Sequence, residues 1–202
     1  MSKTKPKSEE KRRLILNAAV ELFTEQGLMQ TSMDQIAKRA GVSKQTVYSH
    51  YGNKEELFAA AIGCKCDGHR ITPALFDASR EPRELLLDIA RQFSELLLSR
   101  ESIKVARTCI AEAENHPELS RLFFAAGPER VMGMMTELMA QLNERGKLAI
   151  PDARFAAVQF LKMAQGEQRL RLEFNAGNLL PEEEHQRYLV SCVDMFLRAY
   201  AV

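Results

Sequence analysis

The sequence predicts an all-α protein with two parts, a short helical module at the N-terminus and a longer helical body behind it. Apolar residues recur at the spacing i, i+3, i+4 and i+7 along nearly the whole chain, which is the pattern of amphipathic helices. Glycine and proline separate these segments, and no repeat, low-complexity linker or strand-rich segment interrupts them. The chain has 202 residues, of which 46% are hydrophobic and 27% charged, so it can bury a core of substantial size.

The first two predicted helices lie near the N-terminus. One face of the first helix carries apolar residues between positions 14 and 23, and Gly27 lies just past its end. Thr31, followed three residues later by Asp34, has the form of a capping box that opens the second helix. Gly41 ends that helix. Its inward-facing side chains are expected to be Met33, Ile36, Ala37 and Ala40.

A third helix follows after a short turn. Ser43 can cap it, and it runs from about Lys44 to His50, with Val47 as its clearest inward-facing aliphatic side chain. Two short helices joined by the segment AGVS form a helix-turn-helix. In this motif the second helix lies in the major groove of DNA and contacts it with its N-terminal residues. A fourth helix is expected to begin at Lys54.

The polar side chains of the third helix fit a surface that faces DNA. Lys44, Gln45 and Thr46 are well placed, because lysine and glutamine can bind base edges and hydroxyl groups typically bind phosphate oxygens. Residues 1–52 contain nine Lys and Arg against five Asp and Glu, whereas the remainder contains 19 against 22. A basic N-terminal module before a mildly acidic body is typical of a protein that binds a polyanion at one end.

The N-terminal part of the chain resembles a known family. The segment ILNAAVELFTEQGLMQTSMDQIAKRAGVSKQTVYSHYGNKEELFAAAI is similar to the N-terminal DNA-binding domain of the TetR family of bacterial transcriptional regulators, most strongly in GVSKQTVYSHYGNKEEL. The body resembles the family's all-helical ligand-binding domain, and AEAENHPELSRLFF with MMTELMAQLNERGKL is similar to its AcrR-like or AefR-like subgroups. The resemblance implies a helix-turn-helix DNA-binding domain in residues 1–53 and an effector-binding and dimerisation domain in residues 54–202.

The resemblance also implies which residues bind DNA. It places two threonines on phosphates, a lysine on the backbone at the start of the linking helix, and the outward side chains of the third helix on the groove-facing side. The expected DNA-binding residues are Thr31, Ser43, Lys44, Gln45, Thr46, Tyr48, Ser49, His50 and Lys54. The chain departs from the family at Gln45, where glycine is frequent, at Tyr51, where phenylalanine is common, and at GN, where Pro-Ser often precedes the lysine. These departures are expected to affect which bases are read.

The body is expected to contain five or six helices, separated by proline and glycine. They cover roughly residues 82–100, 102–115, 117–125, 128–145, 152–174 and 182–201. The resemblance implies that the last two pair with their copies in a four-helix bundle. The residues expected in that interface are Phe155, Val158, Gln159, Lys162, Tyr188, Cys192, Met195, Phe196 and Ala199. Such a homodimer would bind double-stranded DNA at a palindromic operator, whose half-sites lie about 34–36 Å apart or a multiple of that distance.

A hydrophobic effector pocket is also expected in the body. The segment VMGMMTELM places three methionines on neighbouring turns, and flexible methionine side chains suit an apolar cavity that accepts varied ligands. The residues expected to line it are Phe93, Leu97, Val105, Cys109, Phe123, Phe124, Met132, Met135, Met139, Phe160 and Met163. We expect effector binding to favour a conformation in which the fourth helix moves and the recognition helices no longer fit successive grooves. The same apolar stripes also fit an ordinary core.

The predicted function is that of a dimeric repressor released from its operator by a small, largely apolar effector. Two alternatives stay open: a DNA-bound protein whose helical body docks a protein partner, and a thiol or metal sensor that uses Cys64 and Cys66 of the segment CKCDGH. Helical spacing places only Cys66 and His69 of that segment on one face, and two ligands do not complete a tetrahedral metal site. No catalytic constellation is recognisable, so no enzyme activity, metal or other cofactor is predicted.

The location expected from the sequence is the cytoplasm. No apolar stretch approaches the length of about 20 residues that spans a bilayer, so no membrane association is predicted. The four cysteines are too few for a dense disulfide framework in a chain of this size. Reduced thiols are therefore expected.

Overall fold

The computed structural model describes residues 5–177 and 179–202. Within these residues the chain forms ten α-helices, a short 3₁₀ helix at Pro73–Leu75 and a π-helical turn at Ala125–Glu129, and it forms no β-strand. The α-helices are α1 (Lys5–Gln30), α2 (Met33–Ala40), α3 (Lys44–Tyr51), α4 (Lys54–Gly68), α5 (Pro82–Leu98), α6 (Arg100–Ala111), α7 (Pro117–Phe124), α8 (Arg130–Glu144), α9 (Ala153–Phe174) and α10 (Glu182–Ala199). The predicted all-α fold is confirmed. Every helix in this part of the chain is too short or too polar to span a bilayer.

The helices predicted in the body are all present, with ends that differ by a few residues. The largest difference is in α6, which ends at Ala111 instead of continuing to about residue 115. His116 has φ −133° and ψ 63°, and this non-helical geometry is favoured by its position before Pro117. The chain therefore leaves the helical path between α6 and α7. The sequence does not predict the 3₁₀ helix or the π-helical turn.

The capping box at the start of α2 forms one residue later than predicted. The hydroxyl oxygen of Ser32 accepts a hydrogen bond from the backbone N–H of Gln35 at 3.2 Å, and Oε1 of Gln35 accepts one from the N–H of Ser32 at 2.8 Å. The box predicted from Thr31 and Asp34 is therefore wrong. The inward-facing residues predicted for α2 are buried.

The helical path of α1 breaks at Gly27, which has φ 81° and ψ 170°. A positive φ favours glycine, and the break lies where the first helix was expected to end. Two side chains bind backbone carbonyl oxygens there. Thr31 Oγ1 donates to the Gly27 oxygen at 2.7 Å, and Lys54 Nζ donates to the Leu28 oxygen at 2.9 Å. These contacts satisfy acceptors that the break removes from the helix.

The described residues form two compact units. The first comprises residues up to Lys65 together with 104–127, and the second comprises 66–103 and 128–202. The functional boundary between residues 53 and 54 stays a prediction, and residues 1–4 of the predicted first domain lie outside the described part of the chain. The compact unit extends past residue 53 because Leu57 and Phe58 of α4 belong to its core.

The core of the first unit joins the helix-turn-helix to its neighbours. Ile15 of α1, Ile36 of α2 and Val47 of α3 are each 0% exposed and belong to one hydrophobic cluster. Phe23 and Phe58 pack edge to face with their ring centroids 5.3 Å apart, which connects α1 to α4. The position of α3 is therefore determined by buried contacts with the elements before and after it.

The core of the second unit lies among α5, α8, α9 and α10. Phe160 of α9 is 0% exposed and packs edge to face on Phe196 of α10, with 5.1 Å between ring centroids. At Gly166 α9 breaks, with φ 62° and ψ 178°, and the Tyr188 hydroxyl donates to the Met163 oxygen at 2.7 Å. Burial raises the pKa of Tyr188 to about 12, so its hydroxyl keeps the proton that it donates. A Cβ atom at position 166 would lie 3.0 Å from the Tyr188 ring.

Arg169 of α9 is a buried cation in the second unit, with 4% of the residue exposed. Its Nε donates to Oε1 of Glu173 at 2.7 Å. The guanidinium also donates to Oγ of Ser102 at 3.0 Å and to the backbone oxygen of Leu97. A buried charge is costly unless it is paired and hydrogen bonded, and these three acceptors meet that requirement.

A buried hydrogen-bonded chain connects α5, α9 and α10. Oε1 of Gln168 accepts from the backbone N–H of Leu180 at 2.9 Å, so the amide nitrogen of Gln168 faces His185 and donates to its Nδ1. Because Nδ1 is an acceptor, the proton of a neutral ring lies on Nε2, which donates to Ser94 Oγ at 2.8 Å. This arrangement selects the neutral, Nε2-protonated form of His185.

We expect mild acidification to destabilise the protein through His185. Burial lowers the pKa of His185 below its ordinary value of 6.5, while the charge of Glu182 acts in the opposite direction. Below about pH 6.5 the unfolded chain therefore binds a proton more readily than the folded chain does. The free energy of unfolding should fall with decreasing pH in that range, by at most about 1.4 kcal/mol per pH unit, and should keep its full value above it.

Urea unfolding of the wild type and of His185→Gln across the range from about pH 5 to 8 measures this effect. The variant should lose part of the wild-type pH dependence below pH 6.5. The control is His116→Gln, which removes a partly exposed histidine paired with Glu118 in the first unit and should leave most of that dependence unchanged. An identical pH profile for wild type and His185→Gln would contradict the prediction.

Candidate nucleic-acid interface

The turn between α2 and α3 is set by three consecutive residues. Gly41 adopts the left-handed conformation, with φ 67°, and its N–H donates to carbonyl oxygens of the last turn of α2. The N–H of Val42 donates to the Ala37 oxygen at 3.1 Å. Ser43 then caps α3, since its Oγ accepts from the N–H of Thr46 at 3.2 Å. The predicted helix-turn-helix is therefore present.

α3 has one buried and one exposed face. Val47 is 0% exposed and Tyr51 is 5% exposed, and both belong to the core of the first unit. On the other face the side chains offer hydrogen-bond donors. The exposed residues of α3 are Lys44, Gln45, Tyr48 and Ser49. A helix that is anchored on one side and carries donors on the other can enter a major groove without losing its core contacts.

Tyr51 fixes the C-terminal end of α3 to α1. Its hydroxyl donates to the backbone oxygen of Arg12 at 3.3 Å, and the guanidinium carbon of Arg12 lies 5.8 Å from the centroid of its ring. A phenylalanine at position 51 would lack the hydrogen bond. This residue therefore positions the helix and does not face a ligand.

Lys44, the first residue of α3, is paired with Asp34 of α2. Its Nζ lies 2.8 Å from Oδ1 and 3.1 Å from Oδ2 of Asp34. The hydrogen bond to Asp34 and the charge of its carboxylate raise the pKa of Lys44 above its ordinary value. More than half of each side chain is exposed, at 56% for Lys44 and 63% for Asp34. The pair thus lies on the surface, and the sequence does not predict it.

The hydroxyl groups of α3 and its cap that are predicted to bind DNA form hydrogen bonds within this segment. Oγ of Ser43 and Oγ1 of Thr46 are 2.8 Å apart, so one donates to the other. Ser49 Oγ donates to the Thr46 backbone oxygen at 2.9 Å. His50 is half-buried, with its ring centroid 6.4 Å from that of Tyr51. The roles of these residues in DNA binding stay predictions.

Thr31 does not lie where the prediction requires. It is 2% exposed, its hydroxyl donates to the Gly27 oxygen, and Nε2 of Gln26 donates to that hydroxyl at 3.2 Å. Because the hydroxyl is buried and already bound on both sides, it is not available to a phosphate. The predicted phosphate contact of Thr31 is therefore corrected to a structural role at the break in α1.

Lys54 also has a structural contact that the sequence does not reveal. It is half-buried, and its Nζ donates to the Leu28 oxygen of α1. Asn53 caps the start of α4, since its Oδ1 accepts from the N–H of Glu56 at 2.7 Å. Lys54 thus connects the start of α4 to the end of α1. A contact with the DNA backbone would have to share this ammonium or replace the carbonyl.

We expect Lys54→Met to lower the free energy of unfolding by about 1–2 kcal/mol, because the Leu28 carbonyl loses a charged donor at a half-buried site. Chemical denaturation of the variant measures the loss. The control is Lys38→Met, which removes an exposed lysine from α2 and should change stability by less than about 0.5 kcal/mol. If Lys54→Met kept wild-type stability and only bound DNA more weakly, Lys54 would contact the DNA backbone and would not stabilise the fold.

The residues predicted to line an effector pocket are divided between the two units. Val105, Cys109, Phe123 and Phe124 lie in the first unit, and the remaining seven lie in the second. Met135, Met139 and Phe160 are fully buried in the core of the second unit, whereas 55% of Phe124 is exposed. Pocket lining therefore stays a prediction for these residues.

The residues predicted for a dimer interface fall into two groups. Phe155, Tyr188 and Met195 are exposed at 65%, 39% and 49%, and Gln159, Lys162 and Ala199 are exposed as well. Cys192 and Phe196, in contrast, are 4% and 2% exposed and pack inside the second unit. The prediction for these two residues is corrected, because a side chain buried within its own chain has almost no surface to offer a partner. Val158 is half-buried.

The Cys66 thiol of the segment CKCDGH is buried, which disfavours the reactive thiolate form. This residue is 3% exposed, and burial raises the pKa of its thiol, which lowers the fraction of reactive thiolate. The neighbouring Asp67 pairs with Arg130 at 2.8 Å. Among the residues that the structure describes, no group of three or more His, Cys, Asp or Glu side chains is arranged to hold a metal ion.

Comparison with known proteins covers both parts of the chain. Residues 15–61 match the family described as bacterial regulatory proteins, tetR family, and residues 84–202 match the family described as AefR-like transcriptional repressor, C-terminal domain. The HTH-type transcriptional regulator SrpR of Pseudomonas putida is 32% identical over 111 residues. That match covers 48% of this chain and 49% of SrpR, so the chain spans about half the length of this relative.

Two solved structures are similar over nearly the entire chain. A TetR-family transcriptional regulator from Mesorhizobium loti has 29% sequence identity and a TM-score of 0.79, with 100% of both chains covered. The flavonoid-responsive regulator FrrA has 33% identity and a TM-score of 0.73, with 94% of this chain and 96% of FrrA covered. The fold is therefore shared along both compact units.

Proposed function

Because the chain belongs to the TetR family of bacterial regulatory proteins, we propose that it is a dimeric repressor that binds a palindromic operator through α3 and is released by a small, largely apolar effector. Its character as a DNA-binding transcriptional regulator, and not an enzyme, follows from the family and from the relatives. One observation supports operator binding by α3: Val47 and Tyr51 hold the helix in the core, while Lys44, Gln45 and Tyr48 are exposed on its opposite face.

Exposed apolar side chains support the dimer. Phe155, Tyr188 and Met195 on the last two helices are each more than one third exposed. Leu170 and Phe174 of α9 are also exposed, at 56% and 75%. Apolar surface of this extent favours burial against another chain. A two-fold dimer would also supply the second recognition helix that a palindromic operator requires.

The proposed effector is a small molecule with a large apolar surface. FrrA is described as flavonoid-responsive, and its similarity covers 94% of this chain. Helix α8 carries four methionines, whose flexible side chains can rearrange around an apolar ligand. Flavonoids are therefore the first class to test for release of the protein from its operator. Release by none of a panel of apolar aromatic and aliphatic compounds would contradict the effector part of the proposal and favour docking of a protein partner.

Selection of bound sites from a random duplex pool, combined with the mass of the protein in solution, tests the operator part. A palindromic consensus bound by two copies is the expected result. The control is the double variant Lys44→Ala, Gln45→Ala, which should still fold and should enrich no site. Salt-sensitive binding by the wild type without any enriched sequence would contradict sequence-specific recognition, because phosphate contacts alone account for that behaviour.

A further inference from the structure

Asp34 places a negative charge beside the first residue of the recognition helix. Both of its carboxylate oxygens lie within hydrogen-bond distance of Lys44 Nζ, at 2.8 Å and 3.1 Å. An ammonium group has three N–H donors, so at least one is left to bind another acceptor. The carboxylate thus holds the lysine without using all of its hydrogen-bonding capacity.

The fold does not depend on this ion pair. Both side chains are more than half exposed, and exposed pairs contribute little to stability. α2 is already capped by the hydrogen bonds between Ser32 and Gln35, and α3 is capped by Ser43. A change in this ion pair can therefore alter ligand binding at the exposed face of α3 without altering the fold.

Other cations near α3 are engaged in a similar way. Arg39 of α2 donates to Glu21 at 2.9 Å and to Glu25 at 3.4 Å, and Lys54 donates to the Leu28 oxygen. Each of these positive charges has an acceptor within the chain before DNA arrives. A phosphate that approaches Arg39 is repelled by the carboxylates of Glu21 and Glu25, and one that approaches Lys54 shares its ammonium with the Leu28 oxygen, so binding that relies on charge alone is weakened.

Resting on the proposed operator binding, we propose that Asp34 is a specificity-determining residue, which holds the Lys44 ammonium for a base edge and withholds it from the phosphate backbone. A phosphate that approaches Lys44 also approaches the Asp34 carboxylate, and like charges repel. A guanine O6 or N7 atom is an uncharged acceptor, so it can accept the remaining N–H while the pair stays intact. The carboxylate therefore weakens binding through phosphates alone more than it weakens binding in which Lys44 contacts a base.

The test compares binding of wild type and Asp34→Asn to the selected operator and to random duplex DNA over a range of salt concentrations. The amide has nearly the same shape as the carboxylate, and an unchanged thermal melting curve shows that the fold is intact. Random DNA should bind about three- to fivefold more tightly to the variant, and its salt dependence should steepen by about 0.9 per subunit, the value for one additional phosphate contact. Operator affinity should change less, so the ratio of operator to random affinity falls.

Two controls separate this effect from net charge. Asp88→Asn removes the same charge from an ion pair with Arg80 in the second unit and should leave the affinity ratio unchanged, because neither residue belongs to the proposed DNA-binding surface. In the Lys44→Met background, Asp34→Asn should have no effect on the salt dependence. An equal gain on operator and random DNA, or an effect that persists without Lys44, would overturn the inference. A wild type that selects no site would instead overturn the proposed function on which it rests.

Discussion

Gln45→Ala is expected to weaken operator binding by about 2–6 kcal/mol, because a good bidentate base contact contributes about 1–3 kcal/mol and a dimer makes it twice. Gln45 is the second residue of α3 and is exposed. Within the described residues, its side-chain amide has no hydrogen bond to the rest of the chain. Both its donor and its acceptor are therefore available to an adenine edge, which glutamine can bind through N6 and N7.

Titration of the variant against the full operator and against a single half-site measures this loss. The loss on a half-site should be about half of that on the full operator. Gln141→Ala on α8 is the matched control, since it removes an exposed glutamine from the second unit and should not change binding. If Gln45→Ala lost as much affinity for random DNA as for the operator, Gln45 would not be reading bases.

Arg169→Met is expected to lower the free energy of unfolding by about 3–5 kcal/mol, the usual cost of removing one partner from a buried ion pair. The variant would remove the Arg169 guanidinium from the Glu173 carboxylate, whose side chain is 19% exposed. The Leu97 carbonyl and the Ser102 hydroxyl would also lose a charged donor. Methionine replaces the apolar stem of arginine and much of its volume, so the loss reflects charge and hydrogen bonding more than packing.

Helix α9 provides a matched control for this prediction. Arg171 lies two residues further along and pairs with Glu167 one turn away, but its side chain is 48% exposed. Arg171→Met should therefore cost no more than about 1 kcal/mol, as is usual for a surface pair. Guanidinium unfolding of both variants gives the comparison. Similar losses for the two arginines would show that burial of Arg169 does not determine its contribution.

Elements whose signals lie within a few residues could be predicted from the sequence. The helix-turn-helix followed from the AGVS turn, from Ser43 as a cap and from the apolar spacing of α2, and each of these is present in the structure. Thr31 shows the limit of such local signals. Either Thr31 or Ser32 could have capped α2, and only the break at Gly27 determines that Thr31 turns back into the core.

Contacts between residues far apart in the sequence could not be predicted. Lys54 binds a carbonyl 26 residues away, and His185 binds Ser94 across 91 residues. Nothing in the local spacing of these residues indicates such partners, since polar residues on a helix are usually exposed. The same limit applies to the predicted dimer interface, where Phe196 and Met195 are adjacent in sequence but lie on the buried and exposed sides of α10.

The break in α9 makes the residues tolerated at positions 166 and 188 depend on each other. Any side chain at position 166 would meet both an unfavourable φ of 62° and the ring of Tyr188 at 3.0 Å. A smaller residue at position 188 would remove the clash, but it would also remove the donor that binds the Met163 oxygen. Single substitutions at either site therefore pass through a less stable intermediate. Drift away from this geometry requires paired changes at positions 166 and 188, so the two positions should covary among proteins that keep the break.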